Sequence, residues 1–172
     1  MPKKQFVIAD THFGHKGIIT FTNKTGCRIR PFDTIEKHDD FIVYQWNSVV
    51  GTEDTVYVLG DLAMNRKSIA TIDRCNGRKI LIKGNHDIFK LKDYTPYFED
   101  IRAYKIFPKE GIILSHIPIH PDCMDRWKVN VHGHLHANNV IDPDDCFGGR
   151  RYKCVSCEQI NYKPVVIEEI KS

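Results

Sequence analysis

The sequence predicts an α/β fold in which two packed sheets carry helices on their outer faces. Three observations carry that expectation. Strand-like runs alternate with helical stretches over the first half of the chain, and strands follow one another over the second. Four apolar runs, FVIAD, VYVLGD, ILIKGNHD and IILSH, end in polar residues with ligand chemistry, and VNVHGHLH repeats the form. The length of 172 residues, with 41% hydrophobic and 27% charged residues, suits one domain (1–172) with a sizeable core.

The elements follow in order. Lys4 to Ala9 is the first strand. Thr11 to Pro31 is a long loop with glycines at 14, 17 and 26. Asp33 or Thr34 caps a helix on which Ile35, His38, Ile42, Trp46 and Val49 recur at helical spacing until Gly51 stops it. Thr55 to Leu59 is a buried strand. Asn65 to Cys75 is a second helix with Ile69 and Ile72 facing inward, ended by Asn76-Gly77. Lys79 to Lys83 is the third strand, followed by a short helix through Phe89 and Leu91. Ile101 to Phe107 and Ile112 to Ser115 flank Pro-Lys-Glu-Gly, a hairpin turn. A second long loop, Ile117 to Lys128, precedes the Gly-His-x-His strand. Tyr152 to Cys157 and Val165 to Ile170 close the chain as strands.

Composition excludes some classes. No apolar stretch approaches the ~20 residues needed to span a bilayer, and no secretory signal precedes the first strand. Six cysteines in a chain with a full core and no export signal read as reduced thiols in the cytoplasm. Cys154-x-x-Cys157 is not read as a metal motif: in an apparent strand its thiols point to opposite faces, and Cys146 alone does not complete a zinc site. A net charge of +3 admits an anionic substrate without demanding nucleic acid. The basic residues are scattered, with only Arg150, Arg151 and Lys153 clustered. Nothing fixes the oligomeric state.

The strand-end residues are Asp10 and His12, Asp61, Asn85 with His86 and Asp87, His116, and His134 with His136. A strand that ends in such a residue places it at the carboxyl edge of a sheet, where α/β proteins build their sites. Five such strands aim carboxylates, an amide and imidazoles at one point. That donor set suits two divalent metals, and hence hydrolysis of a phosphate ester. Asp-x-His or Gly-Asp alone is ordinary turn chemistry; the ordered set of five is not.

These motifs resemble those of the calcineurin-like metallophosphoesterase superfamily, and the likeness runs from Asp10 to His136. It is closest to the small capless bacterial and phage branch, where DTHFGH, WNSVV, VYVLGDL, KGNHD, VHGHLH and the later NYKP would all be at home. The resemblance implies a four-layer α/β/β/α sandwich, two packed mixed sheets with helices on the outer faces, around a dinuclear centre. Carried over by motif, Asp10, His12 and His136 hold one metal, Asn85, His116 and His134 hold the other, and Asp61 bridges them. His86 faces the substrate as the catalytic acid. The implied reaction is attack on a phosphate ester by a metal-bridging hydroxide. Imidazole, carboxylate and amide donors accept Mn, Fe, Ni, Co or Zn, with Mn the practical choice in vitro.

Further residues are candidates. His15 can contact the phosphate. Arg28 and Arg30 lie in the same loop and can grip a substrate oxygen, with solvated surface as the simpler expectation. His132 is read as a packed residue beside the site, and His38 and His120 as structural or exposed. Asp87 either orients His86 or caps the next helix. Protein phosphatases of the superfamily carry Gly-Asp-x-x-Asp-Arg; here Met64 stands at the second Asp and the Arg comes one place late, at Arg66. The expectation is therefore a phosphoesterase acting on phosphodiesters, nucleotides among them. A phosphomonoesterase or nucleotidase is the rival within enzymes, and a non-catalytic scaffold that kept the fold is the rival outside them. A DNA-processing nuclease would need a DNA-holding surface.

Overall fold

The computed structural model describes residues 3–141 and 151–170; Cys146 and Arg150 lie outside them. In chain order the elements are β1 (Gln5–Ile8), a 3-10 turn (Lys16–Ile19), α1 (Ile35–Asn47), β2 (Thr55–Val58), a 3-10 helix (Arg66–Arg74), β3 (Arg78–Ile82), α2 (Leu91–Tyr94), β4 (Asp100–Arg102), β5 (Lys105–Phe107), β6 (Ile112–Leu114), a 3-10 turn (Pro121–Cys123), β7 (Val129–His132), β8 (Tyr152–Cys154), β9 (Val165–Val166) and a 3-10 turn (Ile167–Ile170).

Two mixed sheets make an α/β fold. The first runs β4-β3-β2-β1-β9, parallel except for β9; the second runs β5-β6-β7-β8, parallel except for β5. Alternation along the strands builds two cores. Val7, Ala9, Tyr57, Leu59 and Ile82 of the first sheet pack with Ile112, Leu114, Val129 and Val131 of the second, which joins the sheets face to face. On the other face of the first sheet, Phe6, Ile8, Val56 and Val58 pack with Ile42 and Trp46 of α1 and with Ile69 and Ile72. Thr34 caps α1, its hydroxyl accepting from Lys37 N at 3.2 Å. Trp46 adds a tie, its indole N–H donating to Asn76 O at 2.9 Å. The second sheet is covered by the 117–128 segment: Asn130 accepts from Ile119 N at 3.0 Å, and the Tyr152 hydroxyl donates to Ile119 O at 2.8 Å.

Four elements depart from the expectation. Asn65–Cys75 forms 3-10 rather than α-helix. Its inward residues, Ile69, Ile72 and Cys75, recur every three positions, the spacing that a 3-10 helix keeps on one face. The last strand is only two residues long and gives way to a 3-10 turn that buries Ile167 and Ile170, again three apart. The Ile101–Phe107 run is two strands in two sheets, β4 beside β3 and β5 beside β6, because the chain crosses between sheets at Ala103-Tyr104. β8 ends at Cys154, and the chain continues as a parallel bridge from Ser156 to Ala9. That bridge, with bonds Ala9 N to Val155 O and Cys157 N to Ala9 O, stitches the two sheets together where β1 runs out.

Candidate metal centre

Every candidate ligand leaves the carboxyl end of a strand: Asp10 and His12 after β1, Asp61 after β2, Asn85 after β3, His116 after β6, His134 and His136 after β7. The loops hold one another through their backbones. Asp10 N donates to Gly60 O, His12 N to Asp61 O and Gly133 N to His116 O, at 2.9–3.1 Å. Two glycines permit the approach. A Cβ at Gly60 (φ 79°) would lie 2.5 Å from the Gly84 backbone, and one at Gly133 would lie 2.5 Å from Asp10 Oδ2.

Asp10, His12 and His136 bring three ligand atoms within 4.8 Å of one another, and Asp61, His116 and His134 do the same. The two groups meet at Asp61. Its Oδ2 lies 3.9 Å from His12 Nε2 and its Oδ1 3.4 Å from His116 Nε2. Asn85 completes the second group, with its Oδ1 2.8 Å from His116 Nε2 and 3.0 Å from His134 Nδ1.

The ring orientations are set from behind. His116 Nδ1 lies 2.8 Å from Leu59 O and His136 Nδ1 lies 3.0 Å from Glu158 Oε1. Both acceptors require a proton on Nδ1, so in the neutral ring Nε2 is the nitrogen left to meet a metal. Asp10 Oδ2 accepts from His134 N at 2.9 Å and from the Ser156 hydroxyl at 2.7 Å. Its Oδ1 and both ring nitrogens of His12 are buried without a hydrogen-bond partner. Unpartnered buried polar atoms are rare and costly, and His12 Nε2 lies 3.9 Å from both Asp10 Oδ1 and Asp61 Oδ2. Divalent cations fit this donor set of carboxylate, amide and imidazole.

Electrostatics agree. Burial, with Arg30 and the neighbouring imidazoles, holds His12 far below the ordinary imidazole value, so it is a neutral ligand. Burial raises the Asp10 carboxyl, against the opposing influence of His136 and Ser156. The backbone is strained at the same residues: Asp10, His12, Asp61, His134 and His136 have φ of 48–69°, in the left-handed region that side chains with a Cβ seldom adopt.

His86 is exposed, its ring 5.9 Å from that of His12 and its N–H donating to Asp61 Oδ1 at 2.9 Å. His15 is half-buried, its ring 5.6 Å from His12 and 5.7 Å from Phe21. Arg28 is exposed. Arg30 corrects the expectation of a solvated or substrate-gripping residue. Its side chain is 0% exposed and donates to Asp10 O (2.6 Å), Thr11 O (3.2 Å) and Glu158 Oε1 (2.7 Å), so it is held inside the protein and does not reach a substrate. Asp87 is a second correction: it neither caps α2 nor orients His86. It is buried, and its carboxylate accepts from the backbone of Asp61 (2.9 Å), Leu62 (3.1 Å) and Gly84 (2.8 Å). His38 and His132 are buried, while exposed His120 accepts from Asp122 N at the 121–123 turn. Cys154 and Cys157 are buried and in neither group of three, with thiols raised by burial; Cys154 Sγ reaches His136 O at 3.8 Å and the Ser156 hydroxyl at 3.1 Å.

Glu158 and Ser156 were not singled out by sequence. The strand-end rule that found the other residues also applies to YKCVSCE, the run through β8 that ends at Glu158.

No family model matches the chain. The uncharacterized protein MJ1445 of Methanocaldococcus jannaschii is 33% identical over 173 residues, covering 98% of this chain and 89% of that protein. The gene 66 protein of Mycobacterium phage L5 is 29% identical over 167 residues, covering 77% of each. A solved structure, the protein of unknown function AQ665 from Aquifex aeolicus, superposes with a TM-score of 0.73 at 28% identity, covering 98% of both chains.

Proposed function

We propose that this chain, which belongs to one family with protein MJ1445 of Methanocaldococcus jannaschii, is a dinuclear metal-dependent phosphoesterase of the calcineurin-like kind. The observation that carries the reading is the pair of three-residue groups that meet at Asp61, the second completed by Asn85, with Asp10 Oδ1 and the His12 ring nitrogens of the first buried and without a hydrogen-bond partner. Two divalent ions held by Asp10, His12, Asp61, Asn85, His116, His134 and His136 would supply Lewis acidity toward a phosphoryl oxygen and an acidified water at neutral pH.

The chain's own residues supply the rest. Asp61 spans both groups, so one carboxylate fixes their separation. His86 stands exposed beside them, where its ring can pass a proton to a departing ester oxygen. His15, its ring 5.6 Å from that of His12, would contact the phosphate. The rim is open: Asn85, His86 and Ile88 are exposed, and no inserted domain separates the motifs, so a second ester arm is accommodated. Phosphodiesters are therefore the preferred class, with nucleotides among them. Mn²⁺ serves in vitro, and Fe, Ni, Co or Zn suit the same donors.

No helix among the described residues is long and apolar enough to cross a membrane. The exposed free thiols of Cys27 and Cys123 suit a reducing cytoplasm. A panel of bis-aryl diesters, aryl monoesters and cyclic nucleotides, assayed with Mn²⁺ and then with chelator, tests the reading. Metal-dependent cleavage favouring the diester is expected. A clear monoester preference would replace the diesterase with a phosphatase, and no turnover with both ions bound would favour the scaffold.

A further inference from the structure

Beneath the cleft lies a charged network that the reaction as read above does not use. Arg30, distant in sequence from every motif, is fully buried. Its guanidinium donates to Asp10 O at 2.6 Å and Thr11 O at 3.2 Å, the two carbonyls that lie between candidate ligands Asp10 and His12. Its Nε donates to Glu158 Oε1 at 2.7 Å, and the same oxygen accepts from His136 Nδ1 at 3.0 Å. One side chain thus touches the supports of all three residues of the first group. A further contact fixes the far side. Arg30 has no acceptor atom, so His38 Nε2, 3.0 Å from its Nη1, accepts and His38 Nδ1 donates to Asp39 Oδ1 at 2.8 Å. Asp39 Oδ2 in turn accepts from Gly14 N at 2.9 Å, two residues beyond His12.

We propose that the buried Arg30–Glu158 pair is the positioning device of the first metal group: it holds Asp10 and His12 in left-handed backbone and presents the bare Nε2 of His136. This rests on the two-metal reading. The physical case is direct. The 10–12 segment carries positive φ at Asp10 (58°) and His12 (48°), a conformation that persists only where surrounding bonds over-determine it. The Arg30 bonds to the two carbonyls are charge-assisted and water-free, and so among the stronger kinds. A ligating imidazole whose second nitrogen donates to a carboxylate is oriented and made more basic, and loss of such a partner typically weakens metal binding about 10–100-fold. Asp61, His116, His134 and Asn85 make no bond to Arg30 or Glu158 among those described, so the effect falls chiefly on one of the two ions and reaches the other only through the bonds of Asp10 to His134 N and of His12 N to Asp61 O.

The test is a Co²⁺ titration of metal-stripped protein followed by visible absorption, with the two steps assigned through His136→Ala and His134→Ala. Glu158→Gln keeps the volume, and Arg30→Lys keeps the charge but cannot reach both carbonyls and Glu158. Either variant should weaken the first-group step about 10–100-fold and leave the second within about threefold. Ile72→Val, which trims the core away from the site, is the control: it should lower the melting temperature and change neither step. Equal weakening of both steps, or a loss that Ile72→Val reproduces at matched stability, would mean ordinary structural support and overturn the proposal. Two wild-type steps left unaltered in both variants would overturn it alone. A wild type that binds fewer than two ions would overturn it together with the two-metal reading.

Discussion

Asp87 offers the sharpest test of how the site is held, because its contribution does not depend on any ion. Its Oδ2 accepts from Asp61 N and Gly84 N, and its Oδ1 accepts from Leu62 N. Asp87→Asn keeps the shape and replaces one oxygen with an amide NH₂. If the oxygen stays with Asp61 and Gly84, the NH₂ faces the N–H of Leu62, so one bond is lost and one buried donor is stranded. The two remaining bonds also lose their ionic partner. A hydrogen bond to a charged group contributes about 1.5–3 kcal/mol and a stranded donor costs about 1–3 kcal/mol, together about 2.5–6 kcal/mol; burial raises the Asp87 carboxyl, so removing its charge offsets part of this and a net loss of about 2–4 kcal/mol is expected. For a domain of this size, at about 2–4 °C per kcal/mol, that is a fall of roughly 5–15 °C in melting temperature. The assay is thermal unfolding followed by circular dichroism with chelator present throughout. A change of under about 1 °C would show that the three bonds do not carry the turn, and would refute the clamp reading. Metal affinity measured on the same variant should fall for both groups, since Asp61 sits between them.

Asp61→Ala should lose turnover and at least one bound ion, because one carboxylate serves both groups; metal analysis showing two ions with full turnover would remove the dinuclear model. His86→Ala should retain both ions yet lose about 10²–10⁴-fold in turnover, most for poor leaving groups; loss of metal instead would make His86 a ligand, and full activity on an alkyl ester would remove it as the acid. In chelated protein, burial raises the Glu158 carboxyl, but the His136 hydrogen bond and the Arg30 charge outweigh it and hold it down at about 2, against an ordinary 4.5. The sign follows from the depressed value: this stabilisation is present above 4.5 and is lost as the pH falls through 4.5 toward 2. The melting-temperature gap between wild type and Glu158→Gln should therefore shrink across that window; a gap that is independent of pH would refute the ion pair.

The sequence exposes most of the candidate ligands because they lie within one to three residues of the end of an apolar run. Asp10, Asp61, Asn85, His116 and His134 are all found by that local rule, and the two-sheet α/β class follows from the same runs. What holds these residues is not local. Arg30 meets Glu158 across 128 positions, and Ser156 meets Asp10 across 146. Neither pair leaves a spacing or periodicity to read, and an arginine in a loop of mixed polarity reads as surface. The element errors have a related origin. Ile69, Ile72 and Cys75 fit a helix by spacing, yet a three-residue period selects the 3-10 form once packing decides, and the same period at Ile167 and Ile170 turns the end of the expected last strand into 3-10. The Ile101–Phe107 run reads as one strand because nothing in it marks the crossing between sheets.

The strain and the hidden supports belong together. A ligand residue placed directly after a strand must turn at once, and here the turn is left-handed at Asp10, His12, Asp61, His134 and His136. Each such residue costs on the order of 1–3 kcal/mol and persists only where its surroundings over-determine it. The surroundings do so at each place. Arg30 takes the Asp10 and Thr11 carbonyls, Asp87 takes the N–H groups of Asp61 and Leu62, and Asp10 itself takes the N–H of His134. His136 is held at both ends, its ring by Glu158 and its carbonyl by Gln159 Nε2 at 3.1 Å. The same partners therefore fix the backbone and aim the ligand atoms. That is why Asp10 Oδ1 and His12 can remain buried without partners: their positions are set by bonds made elsewhere, which leaves them free to meet a cation.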